Sequence, residues 1–546
     1  MRRASRQART RAGRRRGHRR RAGRTARHRA HAGRHVVSVG RASSIALLGL
    51  EGSVVDIEAE VSTQKPGFKM IGLPDSACKE AEQRVRAAIT NSGLKFPLQK
   101  LTVNLSPAEL PKQGALFDLG IAVATLESNG QIPLDSRPRT IHLGELALDG
   151  RLRPLRGALP AALAASRSGA TTVVVPTGNV DEVSLIPGLT VVGASSLREV
   201  AIWHGADLDG WEVEPLFARG SFPLPDAVPD LDEVIGNDEA VEALIVAASG
   251  GHHMLMLGPP GAGKTMLAAR MPGIMPDLDE DAAIEVASLR SLSGYDIGTS
   301  LSTVPPFESP HHTATASAMI GGGSRFIRPG AAARASHGIL FLDEAPEFNR
   351  DVLDTLRQPL ETGRVSIHRA AAVATFPCSF QLVLAANPCP CGQYGVKDSA
   401  CTCPVLVRDR YLKRISGPLL DRIDIQLRVP RVTAIQLRMS AESTRTTTAQ
   451  ARARVLEARK MAELRLAETP WRMNGQVPGS WLRAPAQLLE RPAMAVIDRA
   501  LELGSLTMRG YDRVLRLAWT LSDLDGAERP TVAHVARAYA MRRGTS

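Results

Sequence analysis

The sequence predicts an α/β protein, with two successive α/β blocks and an all-helical block after them. Three observations predict it. From Ser44 onward, short apolar or alternating runs bounded by Gly, Pro and Asn read as strands, and segments of helical spacing lie between them. A glycine-rich turn, Gly258 to Thr265, joins an apolar run to a helical one. Residues 434–546 lose the strand texture and keep the helical one.

The 546 residues suffice for three or four domains, taking roughly 100–200 residues for each. An apolar fraction of 44% and a charged fraction of 23% suit a soluble globular chain. No stretch reaches the ~18 uncharged apolar residues of a transmembrane helix, so no membrane partner and a cytoplasmic location are expected. Six cysteines are too few for a disulfide scaffold. The net charge of +13 suggests a nucleic-acid binder until its distribution is read. Residues 1–35 hold 15 arginines and no acid, and the remainder carries a formal charge of −2. The basicity therefore belongs to a tail, residues 1–36, with almost nothing to bury and an expected lack of order. That tail reads as a nucleic-acid-binding arm, a solvated extension or an upstream-extended start. No apolar run follows its arginines, which argues against a signal peptide.

In the first block, residues 37–205, strands are predicted at Ile45–Leu50, Val54–Val61, Leu101–Leu105 and Thr172–Val175. Helices are predicted at Ser76–Asn91, Leu116–Leu126 and Gly157–Ser168. Residues 206–230 are acidic and carry Pro215, Pro223, Pro225 and Pro229, which suits a linker. The second block covers residues 231–433. In the helical block, residues 434–546, Pro492 opens a helix, Gly504 follows its end, and Thr531 can cap a last helix to Arg542.

Gly258-Pro259-Pro260-Gly261-Ala262-Gly263-Lys264-Thr265 fits the phosphate-binding pattern G-x-x-x-x-G-K-[ST]. Its glycines let backbone amides face phosphate oxygens, and the following helix N-terminus favours an anion. Lys264 is expected to reach the β- and γ-phosphates of ATP, and the Thr265 hydroxyl to hold Mg²⁺. Ile339 to Leu342 is apolar throughout, as in a strand buried on both faces, and ends in Asp343 and Glu344. Asp343 is expected in the Mg²⁺ shell and Glu344 beside the attacking water. Gln381–Ala386 is another apolar strand ending at Asn387, which either positions that water or only forms a turn before Pro388. Arg422, after Leu419-Leu420-Asp421, reads either as an arginine finger or as the partner of Asp421 or Asp424.

These residues resemble the magnesium-chelatase-like AAA+ ATPases of the ComM/YifB type, a resemblance that covers about residues 39–543. Leu231 to Ala240 is similar to the segment that leads into such cores and cups adenine. Leu384-Ala-Ala-Asn-Pro388 resembles sensor 1, Leu419 to Asp424 the arginine-finger stretch, and Thr507 to Arg513 sensor 2. The last favours Arg509 over Arg513. The resemblance implies a homo-hexameric ring with ATP sites between subunits and inserted elements facing a pore. Ser293–Gly330, with His311-His312 and Gly321-Gly-Gly323, resembles one such insertion. Gly363 to Phe376 resembles the hairpin before sensor 1, which makes Arg364, His368 and Arg369 candidate DNA contacts, or else solvated loop charges. The first block resembles a Lon-protease-type domain. Proteolysis there needs a Ser nucleophile and a Lys base. Lys112 to Gly120 offers no Ser and Pro154 to Ala165 no Lys, so the block is expected to be a structural or interaction module.

Cys389-Pro-Cys391 and Cys401-Thr-Cys403 could supply four thiolates to a structural Zn²⁺. Reduced surface thiols, labile disulfides or redox-active cysteines are the other readings. The expected function is an ATP-hydrolysing ring motor on branched or single-stranded DNA, a helicase-like branch migrator serving recombination of incoming DNA. The alternatives are a regulatory ATPase that remodels proteins and a magnesium-chelatase subunit. Against the last, the chain has no D-x-S-x-S segment of the kind found in that subunit's partner.

Overall fold

The computed structural model describes residues 39–544 except 73, 76–77, 79, 113, 136, 218–227, 324–326, 370–371, 396–400 and 440–444. The tail, residues 1–36, and Pro223 and Pro225 of the linker lie outside the described residues.

Seven strands make the first sheet: β1 (Val39–Leu48), β2 (Glu51–Ser62), β3 (Gly67–Ile71), β4 (Lys100–Ser106), β5 (Thr140–His142), β6 (Thr172–Pro176) and β7 (Thr190–Ala194). Their order is β3-β4-β2-β1-β5-β6-β7. β1 and β2 form a hairpin paired from Val39 with Glu60 to Leu48 with Glu51. β5 runs parallel to β1, β6 to β5, and β7 to β6. Helices Ala81–Asn91, Asp118–Ser128 and Ala158–Arg167 bury Val85, Ile121, Leu126, Leu159 and Ala162 in the cores around this sheet. β3, β5 and β7 were not expected from the sequence. β5 has three residues, all buried, too few to display a period of two. Lys69 interrupts β3 and Gly193 interrupts β7, which weakens both patterns.

The second sheet holds β8 (Met254–Leu257), β9 (Phe307–Glu308), β10 (Ile339–Leu342), β11 (Gln381–Ala386) and β12 (Ile425–Arg428) in the order β9-β10-β11-β8-β12. Every pairing in it is parallel. Both faces are covered, as parallel sheets require. Met254, Met256, Ile339, Phe341 and Val383 face one core, and Leu340, Leu342, Leu382 and Leu384 face the other. The carboxyl ends of β8, β10 and β11 therefore deliver Gly258, Asp343 and Asn387 to one edge, where open α/β sheets bind ligands.

The described residues after β12 form helices and turns, including Thr448–Arg465, Arg491–Glu502, Met508–Leu524 and Val532–Arg543. Pro492 lies in the first turn of its helix, and Gly504 follows at φ +67°. The Thr531 backbone N–H donates to His534 Nδ1 at 3.0 Å, closing the start of the last helix. Val514, Leu517, Ala518 and Leu521 join the core of the second sheet, so helices and sheet share one interior. Among the described residues no helix is long and apolar enough to cross a membrane.

A buried ion pair fastens this junction. Arg513 Nη1 reaches Asp424 Oδ1 at 2.5 Å, and His252 Nδ1 lies 3.5 Å from Asp424 Oδ2. Burial pushes the Asp424 carboxyl up, but the Arg513 guanidinium and His252 outweigh it and hold it well below the usual carboxylate range. Arg513→Ala strands that charge and is expected to cost about 3–5 kcal/mol in a denaturant titration. The folded carboxyl lies below its unfolded value, so its contribution is complete above about pH 3.9 and is lost as pH falls further.

Candidate nucleotide site

The turn out of β8 needs glycine for two different reasons. Gly261 and Gly263 take φ +75° and +89°, the left-handed region open to glycine. At Gly258, a Cβ would come within 2.2 Å of the Val429 carbonyl oxygen. Lys264 opens the helix Lys264–Ile274 and is buried. Its Nζ donates to Gly258 O at 2.7 Å, Pro259 O at 3.0 Å and Asn387 Oδ1 at 3.2 Å. Burial lowers its pKa, against the opposing pull of Asp343 and Glu344. Pro260 O accepts from Arg431 Nε at 3.3 Å, and Ala262 O accepts from Asn237 Nδ2 at 3.3 Å. The Leu231–Ala240 segment, which holds Asn237, thus touches the loop.

Thr265 Oγ1 donates to Asp343 Oδ2 at 2.6 Å, and the Glu344 backbone N–H donates to Asp343 Oδ1 at 2.9 Å. A hydroxyl and a carboxylate side by side are hard oxygen ligands that suit Mg²⁺. Glu344 is exposed and takes φ +51°, a conformation that costs a non-glycine residue on the order of 1–3 kcal/mol. Its Oε2 lies 3.5 Å from His312 Nδ1. Sequence reasoning placed His312 in an insertion and missed this contact, because only the tertiary fold returns that segment to the end of β10.

The structure gathers the loop, Asp343, Glu344 and Asn387, and puts Arg422 elsewhere. Arg422, Arg509, Arg513 and Arg516 line a cleft of about 1090 Å³ that no residue of Gly258–Thr265 lines. Arg422 donates to Pro418 O at 2.6 Å and pairs with Glu361. The intrachain partner is thus neither Asp421 nor Asp424, since Asp424 is taken by Arg513. Burial, then the charges of Arg509 and Arg513, lower the Arg422 pKa. An incoming anion would relieve that crowding of cations. Arg509, Arg513 and Arg516 share a helix face. Arg513 is committed to Asp424 and Arg516 Nε to Val477 O at 2.7 Å, whereas Arg509 is exposed.

The expected hairpin forms from Arg364–Arg369 and Ala372–Pro377, with residues 370–371 outside the described residues. Val365 and Ile367 point inward, and Arg364, His368 and Arg369 are exposed. The insertion packs on it. Gly321–Gly322 pairs with Arg328–Pro329, and a Cβ on Gly321 would lie 2.8 Å from Ile367 Cδ1. In the first block, Lys112 is buried and donates to the Pro107 carbonyl, and Asp118 accepts from Arg84 Nε at 2.6 Å.

The four clustered cysteines converge. Cys389 Sγ lies 3.3 Å from Cys391 Sγ and 3.7 Å from Cys401 Sγ, Cys391 and Cys401 are 3.7 Å apart, and all four sulfurs, Cys403 included, fall within 4.8 Å of one another. Cys78 and Cys378 are buried outside the cluster, and burial pushes both thiols up to about 12.

Residues 230–437 match the family described as magnesium chelatase, subunit ChlI. Residues 57–179 match subunit ChlI of Mg-chelatase, and residues 445–542 match its C-terminal family. The chain is 38% identical to the competence protein ComM of Haemophilus influenzae over 512 residues, which are 93% of this chain and 98% of that protein. It is 38% identical to the protein YifB of Escherichia coli over 503 residues, covering 91% of this chain and 96% of YifB. A Lon protease of Geobacter metallireducens is 26% identical over 174 residues, 30% of this chain and 21% of the protease. On these matches the chain belongs to the magnesium-chelatase-like AAA+ family of the ComM/YifB type, a membership that implies ATP with Mg²⁺ and ATPase activity.

Proposed function

We propose that this protein is an ATP-hydrolysing ring motor acting on DNA, a helicase-like branch migrator in the cytoplasm that serves recombination of incoming DNA. One observation carries the reading. The phosphate loop and the cleft of Arg422 and Arg509 are separate places on one protomer, since no residue of Gly258–Thr265 lines that cleft. A site completed head to tail between copies closes into a ring, and a homo-hexamer is the assembly proposed. Gly258 to Thr265 cradles ATP, Lys264 neutralises its β- and γ-phosphates, and Thr265 with Asp343 holds Mg²⁺. Glu344 activates water, Asn387 orients it, and Arg422, with Arg509, reaches the neighbour's γ-phosphate. Residues 231–433 are the motor core and residues 434–546 its lid. Residues 37–205 are a Lon-like module without a protease dyad. The four clustered cysteines hold a structural Zn²⁺.

The DNA part of the reading is supported by the packed hairpin and insertion, on which Arg364, His368, Arg369 and Arg328 are each exposed, on a body of formal charge −2. A local basic surface is what a ring pore needs. The name of the Haemophilus relative, a competence protein, agrees. The test is the ATPase rate with and without single-stranded and branched DNA. Stimulation is expected, steepest at low salt, and Arg364→Ala with Arg369→Ala should remove it while basal hydrolysis persists. A rate indifferent to every DNA would move the reading to protein remodelling.

A further inference from the structure

We propose that the zinc knot is a clasp on the nucleotide site, holding Asn387 and the Pro260 wall of the phosphate loop in place. The proposal rests on the zinc reading above and goes beyond it. Sulfurs bound to one Zn²⁺ by arms of about 2.3 Å stand about 3.8 Å apart in a tetrahedron. Two of the separations, 3.7 and 3.7 Å, match that spacing, the third is shorter at 3.3 Å, and Cys403 Sγ lies within 4.8 Å of the other three. The knot is also seated against the site. Cys389 is buried and follows Asn387 by two residues, and Asn387 Oδ1 is the acceptor that meets Lys264 Nζ. Gly392, between the two cysteine pairs, takes φ +74°, and a Cβ on it would lie 2.5 Å from Pro260 Cδ. At Gly392 the backbone therefore lies flush on the phosphate loop, with no room for a side chain. On its other side Cys403 leads through Pro404 into the helix Val405–Leu412. Just beyond that helix, Arg414 Nη1 donates to Pro346 O at 3.2 Å, two residues past Glu344.

Among the described residues of this loop, the contacts besides the thiols include the Gly392 N–H to Cys389 O at 2.9 Å and Arg408 over the Tyr394 ring at 3.8 Å. Cys389 is buried, but Cys391 is exposed and Cys401 and Cys403 are half-exposed. No strand or helix spans the described residues between β11 and Val405. In such a segment the free energy of metal binding is the free energy of folding. Without zinc, Asn387 and Pro260 lose their backing together. A misplacement of about 1 Å at a reacting site costs on the order of 10²-fold in rate, and the knot acts through Asn387 and the loop without touching the phosphates.

The experiment uses the full chain, purified without chelator. Elemental analysis is expected to give about one zinc per chain, the content of a four-thiolate site. Stripping the metal with a chelator and a thiol reagent, then restoring thiols, should weaken binding of a fluorescent ADP analogue and slow hydrolysis on the order of 10²-fold. Added Zn²⁺ should restore both, the unchanged circular dichroism of the stripped protein showing that the rest of the chain stays folded, and added Co²⁺ should show thiolate charge-transfer absorption. Gly392→Ala keeps all four thiols, so it should retain zinc and still bind the analogue more weakly. Zinc present, with unchanged analogue affinity after stripping and in Gly392→Ala, overturns the clasp and leaves the zinc reading standing. Fully active protein without zinc overturns both.

Discussion

Arg422→Ala is expected to bind ATP as tightly as the parent and to hydrolyse it about 10³–10⁵-fold more slowly, the range an arginine finger supplies. Binding persists because Lys264, Thr265 and Asp343 stand in a different part of the protomer from the Arg422 cleft. Hydrolysis fails because a guanidinium stabilises charge that develops on the phosphoryl oxygens only in the transition state. The ion pair with Glu361 sharpens the expectation. Arg422 is held by Glu361 in the lone protomer, and on the proposed finger role a stronger anion draws it away, so Glu361→Gln should not lower the rate. Isothermal titration with a slowly hydrolysed ATP analogue and a phosphate-release assay separate the two effects. Loss of affinity with little loss of rate would make Arg422 a structural ion-pair partner.

Glu344→Gln is the second large effect, about 10²–10⁴-fold in rate, as for loss of a positioned general base. Gln keeps the shape and a hydrogen-bonding oxygen but cannot take the proton of the attacking water. The variant is expected to trap ATP, unlike Lys264→Ala, which loses the cation nearest the phosphates and with it much of the affinity. Turnover near the parent rate would remove Glu344 from the role. His312 lies beside Glu344. It comes from the insertion that packs against the exposed hairpin.

What was legible in the sequence was local. Gly258 to Thr265 and the run Ile339 to Glu344 are contiguous, and their spacing alone put each side chain at a strand end. The four cysteines were legible for the same reason. The seat of their loop on Pro260 was not, because it depends on one glycine whose neighbour is distant in the chain. Arg422 illustrates the limit best. Beside the finger reading, the two nearby acids were its candidate partners, yet from the turn after Leu420 the guanidinium pairs with Glu361, while Asp424 turns inward to Arg513. That buried pair commits Arg513 and leaves Arg509, which the motif already favoured, exposed. β5 was missed because three buried residues carry no period.

The central claim is that one ATP site is built from two protomers, and subunit mixing tests it most directly. A Lys264→Ala protomer has a disabled loop and an intact Arg422, and an Arg422→Ala protomer has the reverse. Each alone should be nearly inactive. Mixed under conditions where subunit exchange is verified, they should recover ATPase activity, because some interfaces pair an intact loop with an intact arginine. Recovery should rise with total protein concentration, as expected of a site that exists only in the assembly. Exchanged mixtures that stay as inactive as either parent variant at every ratio would contradict the shared site.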